Sequence, residues 1–238
     1  PTSMMIWNNF GRAIIALMIL AAGSHPLTAG TSVLTYHNDN TRTGANTNET
    51  LLTPANVNAR TFGLLRKYPV DGYVYAQPLY VSGLNIPGKG VRNVVFVATA
   101  NDSVYAFDAD SDAGPDGGLL WHDDLGEGID LIHRHEIGER YHNNVYQDML
   151  PQIGITGTPV IDPVAGTLFV DAYTRTETAA GPAFHHKIHA LSITDGSERS
   201  FSPVEVVASV PGTGVGSVNG RVSFDPRRQI QRPALTLA

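Results

Sequence analysis

Three histidines, His133, His135 and His142, stand in a stretch crowded with acids: Asp123, Asp124, Glu127, Asp130, Glu136, Glu139 and Asp148. Neutral imidazole together with carboxylate suits zinc, nickel or copper. In an extended segment His133 and His135 share one face. These three are the candidate metal ligands. Their spacing matches no established zinc signature, and a polar surface loop with incidental histidines has the same composition. A second pair, His185-His186, reads more readily as solvated surface than as ligands.

Asp108 to Gly117 (DADSDAGPDG) alternates aspartates as a calcium loop does. Such a loop wants Gly at its sixth position and Glu at its twelfth; Ala113 holds the sixth and no Glu closes the run. A turn between strands accounts for it equally. The run Gly212-Thr213-Gly214-Val215-Gly216 lacks the Lys and helix of a phosphate loop and reads as a connector. No Ser sits in Gly-x-Ser-x-Gly. Asp123-Asp124 could do acid–base work if buried, and is otherwise a solvated turn.

These residues need a scaffold, and the pattern is β. Tyr73 to Val81, Asn93 to Thr99, Ser103 to Phe107 and Gly118 to Trp121 are short apolar or alternating runs. Turn signals at Pro87-Gly88, Asn101-Asp102 and Asp108 to Gly117 separate them. Asn93 to Thr99 is nearly all apolar, as expected of a strand covered on both faces. Four short strands in sequence predict an antiparallel meander. The group recurs: Gly157 to Ile161 answers Ala76 to Tyr80, Thr167 to Val170 answers Val94 to Val97, and Lys187 to Leu191 answers Ser103 to Phe107. Pro78 and Pro159 lie 81 residues apart, and Gln231 to Leu235 looks like a third opening. Two insertions, about 122–155 and 174–186, stretch the spacing. In such meanders both would emerge at one rim, where long loops on a rigid scaffold commonly carry function.

The first thirty residues differ. Arg12, the apolar run Ala13 to Ala22 and the small-residue exit through Ala29 read as a secretory signal, cleaved after Ala22 or after Ala29. The run is short for a membrane span, which needs about 20 residues. Residues 30–61 are polar and rich in Asn and Thr, predicting an extended arm with turns. Thr53-Pro54-Ala55-Asn56-Val57 could make one helical turn, Pro54 at its first position. The chain holds 238 residues at net charge −6, with no Lys/Arg cluster and no cysteine. It therefore lacks the footprint of a nucleic-acid binder, a polybasic membrane patch, disulfides, Cys-held zinc and thiol catalysis.

Val104-Tyr105-Ala106-Phe107-Asp108, followed by Gly118-Leu119-Leu120-Trp121, resembles the repeat of the pyrroloquinoline-quinone (PQQ)-binding-like propeller family. His37 to Asn46, Tyr75 to Tyr80 and Ile153 to Asp162 are similar to segments of its exported bacterial members. The second copy departs, with Ser192 for the Asp and no Trp after Asp195-Gly196. The resemblance covers about residues 33–238. It implies an all-β partial β-propeller: about two four-stranded antiparallel blades and the start of a third over 62–238, in an incomplete chain. It implies that Trp121 packs between blades. In the quinoprotein dehydrogenases of this family PQQ sits beside calcium, with a vicinal disulfide, a stacking Trp and a catalytic Asp. No cysteine supplies the disulfide here, so no catalytic residue is carried over, and PQQ with calcium stands by resemblance only. The resulting expectation is an exported binding or scaffold module, periplasmic, extracellular or at the cell surface, with a protein, glycan or small-molecule ligand. It expects no nucleic-acid partner and no membrane span after signal cleavage. The rivals are a fragment of a PQQ-dependent dehydrogenase, and a metal-assisted hydrolase or lyase using the His-rich loop.

Overall fold

The computed structural model describes residues 30–132, 149 and 151–238. The expected signal sequence lies outside the described residues, as do His133, His135 and His142. The described chain is all β, without a helix, in two four-stranded antiparallel sheets and two small ones. No helix among the described residues is long and apolar enough to cross a membrane.

The first sheet is a meander in chain order: β1 (Leu79–Ile86), β2 (Gly90–Ala98), β3 (Ser103–Asp108) and β4 (Leu119–Asp124). Its first strand begins after Pro78, later than the aromatic run from Tyr73 predicts. Pro lacks the N–H that a ladder needs, so pairing starts beyond it. Upstream, the Tyr73 carbonyl accepts from Ala100 N at 2.8 Å outside the ladder. A bulge between Val81 and Leu84 bends β1, and Asn93 Oδ1 accepts Gly83 N there at 2.9 Å.

β2 is buried on one face, through Val94, Phe96 and Ala98, and half-covered on the other. β3 is the strand covered on both. Val104 and Ala106 enter the main core. On the opposite face Tyr68 stacks on Phe107 at 4.7 Å and His122 stacks on Tyr105 at 4.3 Å.

Strands β5 (Ile129–Asp130) and β6 (Gln152–Ile153) pair with each other and close the stem of the first insertion. The second sheet follows: β7 (Val160–Asp162), β8 (Thr167–Thr178), β9 (Gly181–Ser192) and β10 (Val204–Glu205). β7 starts right after Pro159, as β1 does after Pro78. The second insertion is not a loop. It is the far half of a twelve-residue β8–β9 ribbon, paired without a break from Thr167↔Ser192 to Thr178↔Gly181. Its Thr, Tyr, Phe and alternating pattern sustain pairing where composition alone reads as loop. Strands β11 (Ser209–Pro211) and β12 (Arg221–Ser223) form a hairpin enclosing the glycine run.

The two large sheets share one core. Val94, Phe96, Val104 and Ala106 meet Leu168, Val170, Ala172, Leu191 and Ile193. Trp121 of β4 spans the junction: Nε1 donates to Ile193 O at 3.1 Å, and its ring lies over Gly196. A methyl group on Gly196 would sit 2.8 Å from Trp121 Cε3, and Gly196 has φ +78°. Only glycine suits both demands.

The polar arm is built in. Val33 pairs with Tyr80, and Leu34 O accepts Ile161 N at 2.8 Å, so one short segment touches both sheets. Residues 37–44 fold around Asp39, whose carboxylate accepts Thr41 Oγ1 at 2.6 Å and Thr43 Oγ1 at 2.5 Å. Arg42 then reaches Leu235 O at 3.1 Å and Thr236 Oγ1. The turn expected at Thr53 closes through Val57 N to Thr53 O at 2.9 Å.

Candidate functional site

The two insertions meet at one rim. Gly128 bridges Thr174, and Arg175 N donates to Glu127 O at 2.9 Å. Arg175 Nη1 lies 3.3 Å from Glu127 Oε2, and Arg175 Nη2 lies 2.6 Å from Glu177 Oε1. Beneath them Ile129, Leu131, Met149, Ile153, Tyr173 and Phe184 form a second, smaller core. That apolar cluster packs the stem of the first insertion against the β8–β9 ribbon.

Above this footing opens a cavity of about 410 Å³. Asp124, Glu127 and Asp130 line it with Asn101, Gln152 and two glycines. Its wall thus carries three carboxylates and two primary amides, and no large apolar side chain. Asp124 Oδ1 accepts Gly126 N at 3.0 Å and Asp130 Oδ1 accepts Ile132 N at 2.9 Å. Asp124 and Asp130 are thus oriented by backbone N–H groups. Gln152 Nε2 donates to Ala100 O at 3.2 Å and to Asn101 Oδ1.

A second cavity, of about 280 Å³, adjoins the first through Gln152 and is walled by Asp71 and Tyr73. Tyr73 is 59% exposed and stacks on Tyr75 at 6.2 Å. Burial pulls the Asp71 carboxyl upward. Hydrogen bonds from Ser103, Asn101 and Thr99 outweigh it and hold the group below its ordinary range. Asp71 is a fixed anion that ties the β2–β3 turn to the edge of the cavity.

Under the cavity lies Asp102, fully buried, at the αL position of the β2–β3 turn (φ 55°). Its Oδ1 accepts Tyr173 N from the second sheet at 3.1 Å. Its Oδ2 is buried without a hydrogen-bond partner among the described residues. Burial pushes this carboxyl well above its ordinary range, and the charges of Asp171, Asp124 and Asp71 add to the effect.

The structure thus gathers Asp124, Glu127 and Asp130 from the acidic stretch. Asp123 points elsewhere, toward Glu198 and His189: burial first and Glu198 second raise its carboxyl. His133, His135 and His142, the proposed metal ligands, lie outside the described residues. Among those described, no three His, Cys, Asp or Glu side chains could hold a metal between them.

Sequence reasoning missed the histidines of β9. Each is 2.7 Å from a carboxylate: His185 from Glu205, His186 from Asp171, and His189 from Glu198. His186, read as surface, is 2% exposed; its Nδ1 faces Asp171 and its Nε2 lies 2.8 Å from Gln229 O. Every second residue of a strand shares a face, so Asp171, Tyr173 and His186 on paired strands were a legible signal. His185 Nε2 also lies 2.9 Å from Thr176 Oγ1, giving a hydroxyl–imidazole–carboxylate chain. This chain of groups stands on the ribbon and does not line the two rim cavities.

The Asp108–Gly117 turn uses its acids internally. Asp108 Oδ2 pairs with Arg92 Nε at 3.1 Å, and Asp110 Oδ2 accepts Asn93 Nδ2 at 2.7 Å. Nor do the described residues fit PQQ with its calcium. Among the described residues no three His, Cys, Asp or Glu side chains are placed to hold a cation between them, and Trp121 is committed to the junction between the sheets.

No protein-family model matches the chain, and a search of curated proteins finds no match.

Proposed function

We propose that this chain is part of an exported propeller of PQQ-like repeats that acts as a binding module, taking a polyhydroxylated ligand of glycan type at the rim cavity. The observation that carries this reading is the cavity wall. Carboxylates and amides offer acceptors and donors to vicinal hydroxyls, and the adjoining exposed Tyr73 offers a flat apolar face for a sugar ring. An apolar ligand would find little to cover it there. The repeated sheets locked by Trp121 and Gly196 support the propeller reading, and the resemblance of the repeat supports export and the PQQ-like family.

The test is a glycan array followed by calorimetry on the hits, with PQQ plus calcium run alongside. Saturable glycan binding that weakens at least about tenfold in Asp124→Asn and Tyr73→Ala supports the proposal. Saturable PQQ binding with no glycan hit replaces it with the quinoprotein reading.

A further inference from the structure

A cavity of about 180 Å³ opens on the second sheet and shares no lining residue with the two rim cavities. Asp171, His186 and Ile188, on the paired strands β8 and β9, form its floor. Val206, Phe224 and Ile230, from the chain that follows, wall it. That wall is tied down at three points. Val206 N donates to His186 O at 2.8 Å, Phe224 N donates to Ala208 O at 2.8 Å, and Thr156 Oγ1 donates to Gln231 O at 2.7 Å.

The floor holds a carboxylate whose two oxygens differ. The Asp171 side chain is 4% exposed. Its Oδ2 lies 2.7 Å from His186 Nδ1, and His186 Nε2 lies 2.8 Å from Gln229 O, so both ring nitrogens are engaged. Its Oδ1 is buried and has no hydrogen-bond partner among the described residues. A buried acceptor without a donor is costly, and a donor brought to it gains more than the same contact gives in water. The two glutamines of the wall use their amides within their own segment. Gln229 Oε1 accepts Asp225 N at 2.6 Å, and Gln231 Nε2 donates to Pro233 O. What remains around the carboxylate is apolar: Ile188, Val206, Phe224 and Ile230.

We propose that this cavity binds a small ring compound carrying one hydrogen-bond donor, an alcohol or an amine, with the donor on Asp171 Oδ1 and the ring against the apolar wall. The size agrees, since an apolar cavity of about 150 Å³ holds benzene. A single ring with a short substituent therefore fits. A carboxylate ligand brings only acceptors and the same charge as Asp171, and is rejected. The site does not depend on the glycan reading of the rim, because the two share no lining residue and are tested with different probes.

The experiment is calorimetry and two-dimensional NMR on the full chain with four probes. Benzyl alcohol and benzylamine carry a donor, toluene carries no polar group, and benzoate carries acceptors only. The expected result is saturable binding of the two donor ligands at one equivalent, with shifts gathered on Ile188, Phe224 and Ile230. Toluene is expected to bind at least about tenfold more weakly, and benzoate not to bind. Val206→Phe puts a ring into the cavity at a position 37% exposed, so it is expected to keep its Tm and to bind benzyl alcohol at least about tenfold more weakly. No saturable binding of either donor ligand by the folded wild type overturns the proposal. Equal affinity for toluene and benzyl alcohol also overturns it, because Asp171 then takes no part in recognition. A folded Val206→Phe protein that binds as the wild type does places the ligand elsewhere and overturns it too.

Discussion

Trp121 of the first sheet donates its indole N–H to the carbonyl of Ile193 in the second, 3.1 Å away. The same ring covers Gly196 and lies 5.8 Å from Phe96. This side chain is one of the links that join the two sheets, beside the shared apolar core. Trp121→Ala is expected to destabilise the fold by about 3–5 kcal/mol. Trp121→Phe, which keeps most of the area and loses the hydrogen bond, should cost less. Urea denaturation of the two variants checks the order.

Gly196 is the other half of that contact. Gly196→Ala must strain a positive φ and push against the indole. It should destabilise the wild type by at least about 1 kcal/mol, and clearly less in a Trp121→Ala background, where the clash is gone. Equal costs in both backgrounds would show that the backbone conformation, and not the ring, excludes the side chain.

The arm has its own acid dependence. Hydrogen bonds from Thr41 and then Thr43 lower the Asp39 carboxyl from its ordinary value to about 2. Because the folded value is depressed, what the group contributes is present above the unfolded value and is lost as pH falls through the folded one. The fold of residues 37–44, and with it the reach of Arg42 to Leu235, should loosen between about pH 4 and 2. NMR titration of the Asp39 carboxyl and of the Arg42 side chain reads both events. Asp39→Asn should remove the transition.

Asp123 behaves in the opposite sense. Burial and the neighbouring Glu198 raise its carboxyl. A raised acid binds its proton more tightly in the folded state, so its contribution falls as pH rises from the unfolded value through the folded one. Glu198→Gln removes the second cause, and the Asp123 titration should move back down. An unchanged midpoint in that variant would assign the whole effect to burial.

Asp171 and His186 form a buried pair at 2.7 Å, with the imidazole also stacked on Tyr173 at 4.3 Å. Removing one partner leaves the other without compensation, so Asp171→Asn and His186→Gln should each cost about 3–5 kcal/mol. The double variant should cost far less than their sum. A double-mutant cycle by denaturation measures the coupling.

The apolar and β-branched runs separated by Gly, Pro and Asn turns already specified short antiparallel strands, because alternation and turn chemistry are local. Pro78 and Pro159 marked the repeat, but the strand read from Tyr73 starts only after Pro78, because a residue without an N–H cannot join the ladder. The acidic stretch from Asp123 was legible as a rim insertion from its length and position after an outer strand, but which acids line the cavity, Asp124, Glu127 and Asp130 and not Asp123, was not. Tertiary structure decided the rest. The stretch around His185-His186 reads as polar loop by composition, yet the ribbon pairs through it, and the carboxylates that draw the imidazoles inward come from other strands and turns. Asp102 looks like any turn aspartate; only the packing of the second sheet and of Gly128 and Gly154 over it makes it a buried group. Local propensity acts over a few residues, whereas burial and charge pairing depend on segments tens of residues apart, and these were settled only when the two sheets closed on Trp121.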